Sequence, residues 1–168
     1  MRMDQVDRIL AQWHAQRPDL DVGPMGTFGR LKRLFDHLAR ELNCVFRDHG
    51  LTAASFDVLA TLRRSGAPYA LTPSALIEWT MVTSGTMTNR LDRLEAGGLI
   101  KRRTNPEDGR GSVVALTDKG FALIDEVVGA HVANQHRLME GLSADLRASF
   151  DEGLRVWLAS FEKDKDQA

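Results

Sequence analysis

Residues 83–117 read TSGTMTNRLDRLEAGGLIKRRTNPEDGRGSVVALT. Two periodicities meet in this stretch. Met87, Leu91 and Leu94 are spaced four and three apart, the step of one face of an α-helix. Thr83 stands where an N-cap hydroxyl belongs, and Gly97-Gly98 where the helix must stop. The pattern then changes to two short strand-like runs, Leu99 to Thr104 and Ser112 to Leu116. Between them lies Asn105-Pro106-Glu107-Asp108-Gly109-Arg110-Gly111, a cluster of turn formers. The spacing predicts a helix over 83–96 followed by a β-hairpin with a long tip.

Working outward, the flanking sequence is helical. Thr52 caps a helix carrying Phe56, Leu59 and Leu62 that ends near Gly66. Thr72 precedes Pro73, a residue suited to the first helical position, and Leu76 and Ile77 follow. Thr117 opens a helix running to about 140. Ser143 opens a last one with Leu146, Phe150, Leu154, Trp157, Leu158 and Phe161 on one face. At the N-terminus, Val6, Ile9, Leu10 and Trp13 mark a helix over 3–16, stopped by Arg17-Pro18-Asp19. Residues 19–26 read as a loop. Leu31, Leu34, Phe35, Leu38, Leu42, Val45 and Phe46 then form a wide apolar stripe on a helix over 25–49, with Gly50 at its C-cap.

The chain is therefore mainly α. Helix, helix, helix, hairpin over 52–116 is the order of a winged helix-turn-helix. The expected division is N-terminal helices over 1–50, a DNA-binding unit over 51–116 and C-terminal helices over 117–168. The 168 residues carry 22 Lys and Arg against 23 Asp and Glu, a net charge of -1, and 43% are hydrophobic. That suffices for a core and excludes a disordered tail. No apolar run approaches the ~20 residues of a membrane span, and the N-terminus lacks signal-peptide character. A cytoplasmic location is expected. Cys44 is the one cysteine, so no intrachain disulfide forms.

In a winged helix-turn-helix the second helix of the turn enters the major groove. Here it offers Ser84, Thr86, Thr88, Asn89, Arg90 and Arg93. These are short hydroxyl and amide groups and guanidinium forks for base edges and phosphates. Arg110 stands at the hairpin tip, where a guanidinium suits the narrow minor groove, with Asp108 two residues away to orient it. Lys101, Arg102 and Arg103 add positive charge to the first strand. Each feature alone fits a solvated surface; their joint placement points to double-stranded DNA.

The run Leu94-Glu95-x-x-Gly98-Leu99-Ile100, then Arg102-Arg103, Asp108-Gly109-Arg110 and Val114-x-Leu116-Thr117-x-x-Gly120 resembles the wing motif of the MarR family of bacterial transcription regulators. By helix order the likeness covers about residues 28–162. It implies a homodimer held by the N- and C-terminal helices on a palindromic operator. The added N-terminal helix with Trp13, together with Asp57, Arg64 and Arg90, resembles the urate-responsive PecS/HucR-like branch. The resemblance implies that urate binds among these residues and moves the recognition helix. Urate is flat, aromatic and anionic, so Trp13 suits stacking and Arg64 an anion contact. Seven residues make about two turns, which places Asp57 and Arg64 on one helix face. Trp13 also fits a purely structural anchor, and Asp57 with Arg64 a scaffold ion pair. Another phenolic, organic-acid, metal or redox signal is the alternative.

A metal centre is not expected. His37, Cys44 and His49 share one helix without the three or four converging ligands that zinc wants, and His131 and His136 are five apart. Cys44 lies on the apolar stripe, where a small hydrophobe fits. No nucleophile elbow, phosphate-cradling glycine loop or metalloprotease motif occurs, so no enzyme and no cofactor are expected. The near-neutral total hides an uneven distribution. Residues 90–110 hold six basic and four acidic residues, a local +2, whereas 118–168 hold six basic and ten acidic, a local -4.

Overall fold

The computed structural model describes residues 3–80, 84–105 and 111–162, with backbone alone at 84–86. The elements run α1 (Gln5–Gln16), α2 (Gly23–Asp48), α3 (Ala53–Arg64), β1 (Ala70–Leu71), α4 (Pro73–Trp79) and α5 (Ser84–Ala96), then β2 (Ile100–Thr104), β3 (Ser112–Leu116), α6 (Asp118–Met139) and α7 (Ala144–Glu162). Thr52, Thr72 and Thr117 each accept a hydrogen bond from the backbone three residues on, as N-caps do. The cap expected at Thr83 lies outside the described residues. Asp4 starts α1 through a reciprocal capping box with Asp7.

Two expectations are corrected. Helix α2 begins at Gly23, inside the stretch read as a loop over 19–26. Pro24 occupies its first turn, where a missing N–H costs nothing and φ is already helical. The hairpin also gains a third strand. β1 pairs antiparallel with β3, Ala70 opposite Ala115 and Leu71 opposite Val114, giving the order β1-β3-β2. A two-residue strand has no periodicity to read. β2 and β3 pair from Ile100 opposite Leu116 to Thr104 opposite Ser112.

Helix α3 is the centre of the core. Val58, Leu59 and Leu62 are fully buried against Leu76 of α4, Met87, Leu91 and Leu94 of α5, and Ile100 and Val114 of the sheet. Phe46 of α2 and Ile124 and Val127 of α6 close the same cluster. Arg63 ties α3 to α6 through Asp125 at 2.9 Å, with its guanidinium 4.6 Å from the Phe121 ring centroid. Arg137 ties α6 to α2 through Glu41 at 2.6 Å. α1 lies along α2, where Gly26 and Gly29 leave room for Leu10 and Val6, and Arg30 reaches Asp4 and Asp7.

The outer helices are only half covered. α7 has no buried residue, and Leu146, Phe150, Leu154, Val156, Leu158 and Phe161 are all exposed. Phe28 and Phe35 of α2 are exposed too. Among the described residues, no helix is long and apolar enough to cross a membrane.

One close approach fixes the hairpin on the helices. Gly98 ends α5 with φ +70°, a conformation that favours glycine. Thr117 then grips the turn: its N–H donates to Leu99 O at 3.1 Å and its hydroxyl to Gly98 O at 2.7 Å. A Cβ on Gly120 would stand 1.9 Å from that same Leu99 oxygen. This is the physical content of the Thr117-x-x-Gly120 motif. Gly120→Ala is expected to destabilise the fold by on the order of 1–3 kcal/mol, read as a lowered thermal midpoint. Gly129→Ala on the same helix, where a Cβ meets nothing within 4 Å, should leave it unchanged or raised.

Candidate nucleic-acid interface and effector pocket

The α5 helix has two faces. Met87, Leu91 and Leu94 turn inward, each at most 4% exposed, and thereby aim Thr88, Asn89 and Arg93 into solvent. The side chains of Ser84 and Thr86, and all of Asp108 and Arg110, lie outside the described residues. Arg90 sits between the faces. It is half-buried, and its Nη1 is enclosed without a hydrogen-bond partner among the described residues.

The basic run on β2 divides. Lys101 and Arg103 are exposed. Arg102 is engaged within the protein: its Nη2 meets Asp92 Oδ1 at 2.6 Å, its Nη1 meets Glu95 Oε2, and its backbone N–H donates to Glu95 Oε1 at 2.9 Å. Asp92, and then Glu95, hold this guanidinium above the usual arginine range. Arg102 therefore clamps the first strand of the wing to α5, and its charge is already matched. In sequence it reads as one of three equivalent charges, Lys101, Arg102 and Arg103. The signal was present, since Asp92 and Glu95 lie three apart on one side of α5.

Asp57 and Arg64 both stand on α3, the first half-buried and the second exposed. Arg64 Nη2 donates to the Trp79 carbonyl at the end of α4, at 2.5 Å. Around this bond lies a cavity of about 400 Å³ lined by Thr61, Arg64, Ser65, Leu71 and Trp79. A second cavity, of about 440 Å³, lies between α3 and α6 among Phe56, Ala60, Arg63, Arg64, Asp125 and Val128. Arg64 borders both. Trp13 lines neither. It is 41% exposed, while α1 is anchored on α2 through buried Val6. Trp79, by contrast, was not singled out in the sequence. A large aromatic closing a helix whose apolar step is already met by Leu76 was the available clue.

Of the residues weighed for metal, His37, Cys44 and His49 each have a hydrogen-bond partner within three or four residues. Arg40 Nη2 lies 2.7 Å from His37 Nδ1, Arg47 Nη2 donates to Cys44 Sγ at 3.2 Å, and His49 Nδ1 meets Val45 O at 2.7 Å. No group of three His, Cys, Asp or Glu side chains suited to a metal occurs among the described residues. His131 stacks on Phe46 and Phe56, and burial lowers its pKa.

Comparison with known proteins decides what the geometry belongs to. A MarR family model matches residues 49–111. The transcriptional regulator PecS of Dickeya dadantii is 43% identical over 159 residues, covering 95% of this chain and 93% of PecS. The chain belongs to the MarR family. Its fold accordingly matches a mutant MarR of Escherichia coli in complex with operator DNA, with a TM-score of 0.69, 30% identity and coverage of 82% of this chain and 97% of that one. It also matches Bordetella bronchiseptica BpsR, solved to explain regulation of its DNA binding by 6-hydroxynicotinic acid, with a TM-score of 0.67, 28% identity and coverage of 77% and 90%. These relatives are regulators of transcription, not enzymes.

The assignment of Arg102 to the clamp has a measurable consequence. Arg102→Ala should lower stability by roughly 1 kcal/mol in thermal unfolding, because both carboxylates lose a partly screened partner. Lys101→Ala should leave the midpoint in place.

Proposed function

We propose that this MarR-family protein is a homodimeric repressor that binds a palindromic operator and is released by a small planar anion such as urate. The observation that carries the DNA reading is α5, whose buried stripe turns Thr88, Asn89 and Arg93 outward in a chain 43% identical to PecS. Ser84, Thr86 and Arg90 are assigned to the same DNA contact. Arg103, with Arg110 and Asp108 at the wing tip, meets the flanking backbone and minor groove. Residues 51–116 form the reading unit.

Residues 1–50 and 117–168 form the dimer contact. The support is the run of exposed large apolar side chains on α2 and α7, Phe28, Phe35, Leu146, Phe150, Leu154, Leu158 and Phe161 among them, the kind of surface that marks a protein contact. A two-fold dimer sets its recognition helices about 34 Å apart, one turn of DNA.

Asp57, Arg64 and Arg90 form the effector-sensing set, with Trp13 as its aromatic wall. Half-burial of Arg90, with one nitrogen left without a partner among the described residues, gives α5 a polar group that faces the protein as well as solvent. The regulation of BpsR by 6-hydroxynicotinic acid, an aromatic acid, favours a planar anion over a metal. The ligand acts to the extent that it prefers the arrangement that does not bind DNA.

A gel shift on the DNA upstream of the protein's own gene, with and without urate, xanthine and salicylate, tests both halves. Arg110→Ala is expected to weaken DNA binding by about threefold or more without unfolding the dimer, and affinity should fall steeply with salt as phosphate counterions are released. An unchanged affinity at moderate salt would remove the wing from the mechanism. Asp57→Asn should keep DNA binding but blunt the urate response; a normal response in that variant removes Asp57 from the sensor.

A further inference from the structure

The wing leaves the three-stranded sheet at one rung. Leu71 of β1 and Arg102 of β2 both lie opposite Val114 of β3, and β1 ends there. Beyond it, Arg103 with Val113 and Thr104 with Ser112 continue as a two-stranded ribbon. Such a ribbon is marginally stable by itself, so its direction is set by what holds its base. The contact with α5 acts at this rung. The N–H of Arg102, on the free edge of the sheet, donates to Glu95 Oε1 at 2.9 Å. Its guanidinium bridges Glu95 Oε2 and Asp92 Oδ1, the latter at 2.6 Å. Two carboxylates of one helix thus hold both the backbone and the side chain of one strand residue, through charge-assisted bonds of defined geometry. Asp92 lies four residues after Thr88 and three after Asn89, on the outward side of α5, and is itself exposed. On a helix that reads DNA, negative charge at that place repels the phosphate backbone. Both carboxylates are instead spent on Arg102.

We infer that Asp92 and Glu95 are positioning residues that determine operator specificity: through Arg102 they fix the angle between the wing and α5, so that major-groove and minor-groove contacts fall in register on one sequence. This rests on the reading of α5 and the wing as the DNA-contacting surface. Phosphate contacts carry no sequence information, and a displaced wing still finds them. Contacts to base edges do not survive displacement, because hydrogen bonds weaken steeply with misalignment. Loss of the clamp therefore lowers affinity for the operator, while non-specific affinity, which is electrostatic, stays or rises.

The test uses the full-length protein, the duplex it selects from a random pool, and a shuffled duplex of the same length and composition. Asp92→Ala/Glu95→Ala removes two negative charges from α5 and keeps its helix propensity. On charge alone, affinity for both duplexes rises. The clamp instead gives opposite signs. The selected duplex should be bound about tenfold more weakly, the scale of one mismatched base pair, and the shuffled one as tightly as before or more so. Arg102→Ala should lower the ratio of the two affinities in the same way. Arg102→Lys, which keeps the charge but lacks the fork, should not restore it. Far-UV circular dichroism and retained binding of the shuffled duplex report that the variants are folded. If the double variant leaves the ratio unchanged, whether both affinities rise together or fall together, the positioning role is wrong and the DNA reading stands. If the wild type selects no duplex, the DNA reading and the positioning role fall together.

Discussion

Val58, Leu59 and Leu62 leave no solvent-exposed surface on the inner side of α3, and this burial constrains everything around it. Residues of α4, α5 and the sheet, together with Phe46 of α2 and Ile124 and Val127 of α6, join that helix in one cluster. The reading helix and the outer helices are thus referenced to one rigid element. Close packing makes such a core resist gradual deformation, so a local change at the end of α3 passes to its neighbours as a shift of whole elements. Arg63 and Arg64, adjacent at that end, reach opposite ways: one to Asp125 on α6, the other to the end of α4. The last turn of α3 therefore touches both halves of the molecule at once.

Electrostatics follow the same division. A count of charges gives 90–110 a local excess of +2, yet Arg102 is spent on Asp92 and Glu95. Arg93, Lys101 and Arg103, by contrast, are exposed. Affinity built this way depends on a small number of phosphate contacts and is sensitive to salt and to geometry. The internally paired Arg102 fixes the position of β2 on α5 rather than adding free charge.

Much of the fold was legible because periodicity and caps agreed. The stripe Met87, Leu91, Leu94 located α5, and Thr52, Thr72 and Thr117 marked three helix starts that the structure reproduces. The misses have physical causes. Pro24 reads as a breaker in isolation but is favourable in a first turn, so α2 starts earlier than expected. β1 is two residues long and exists only because β3 offers it an edge. Of the site, the outward residues of α5 were legible from helical phase, since inward neighbours determine them. The pairing of Arg102 and the prominence of Trp79 were not. Both depend on which element lies opposite, and that is a tertiary fact.

The same distinction bears on how such a regulator is switched. A ligand shifts a two-state equilibrium only by its difference in affinity for the two states, and a tenfold change in DNA binding requires about 1.4 kcal/mol of that difference. A single charge-assisted hydrogen bond gained or lost is of this order. The core of α3 is too well packed to be the element that yields. The Arg64–Trp79 bond, by contrast, joins an exposed guanidinium to the end of a seven-residue helix, where the cost of local rearrangement is small. An adjustable contact at the margin of a rigid core can rearrange while the scaffold that seats α5 stays intact.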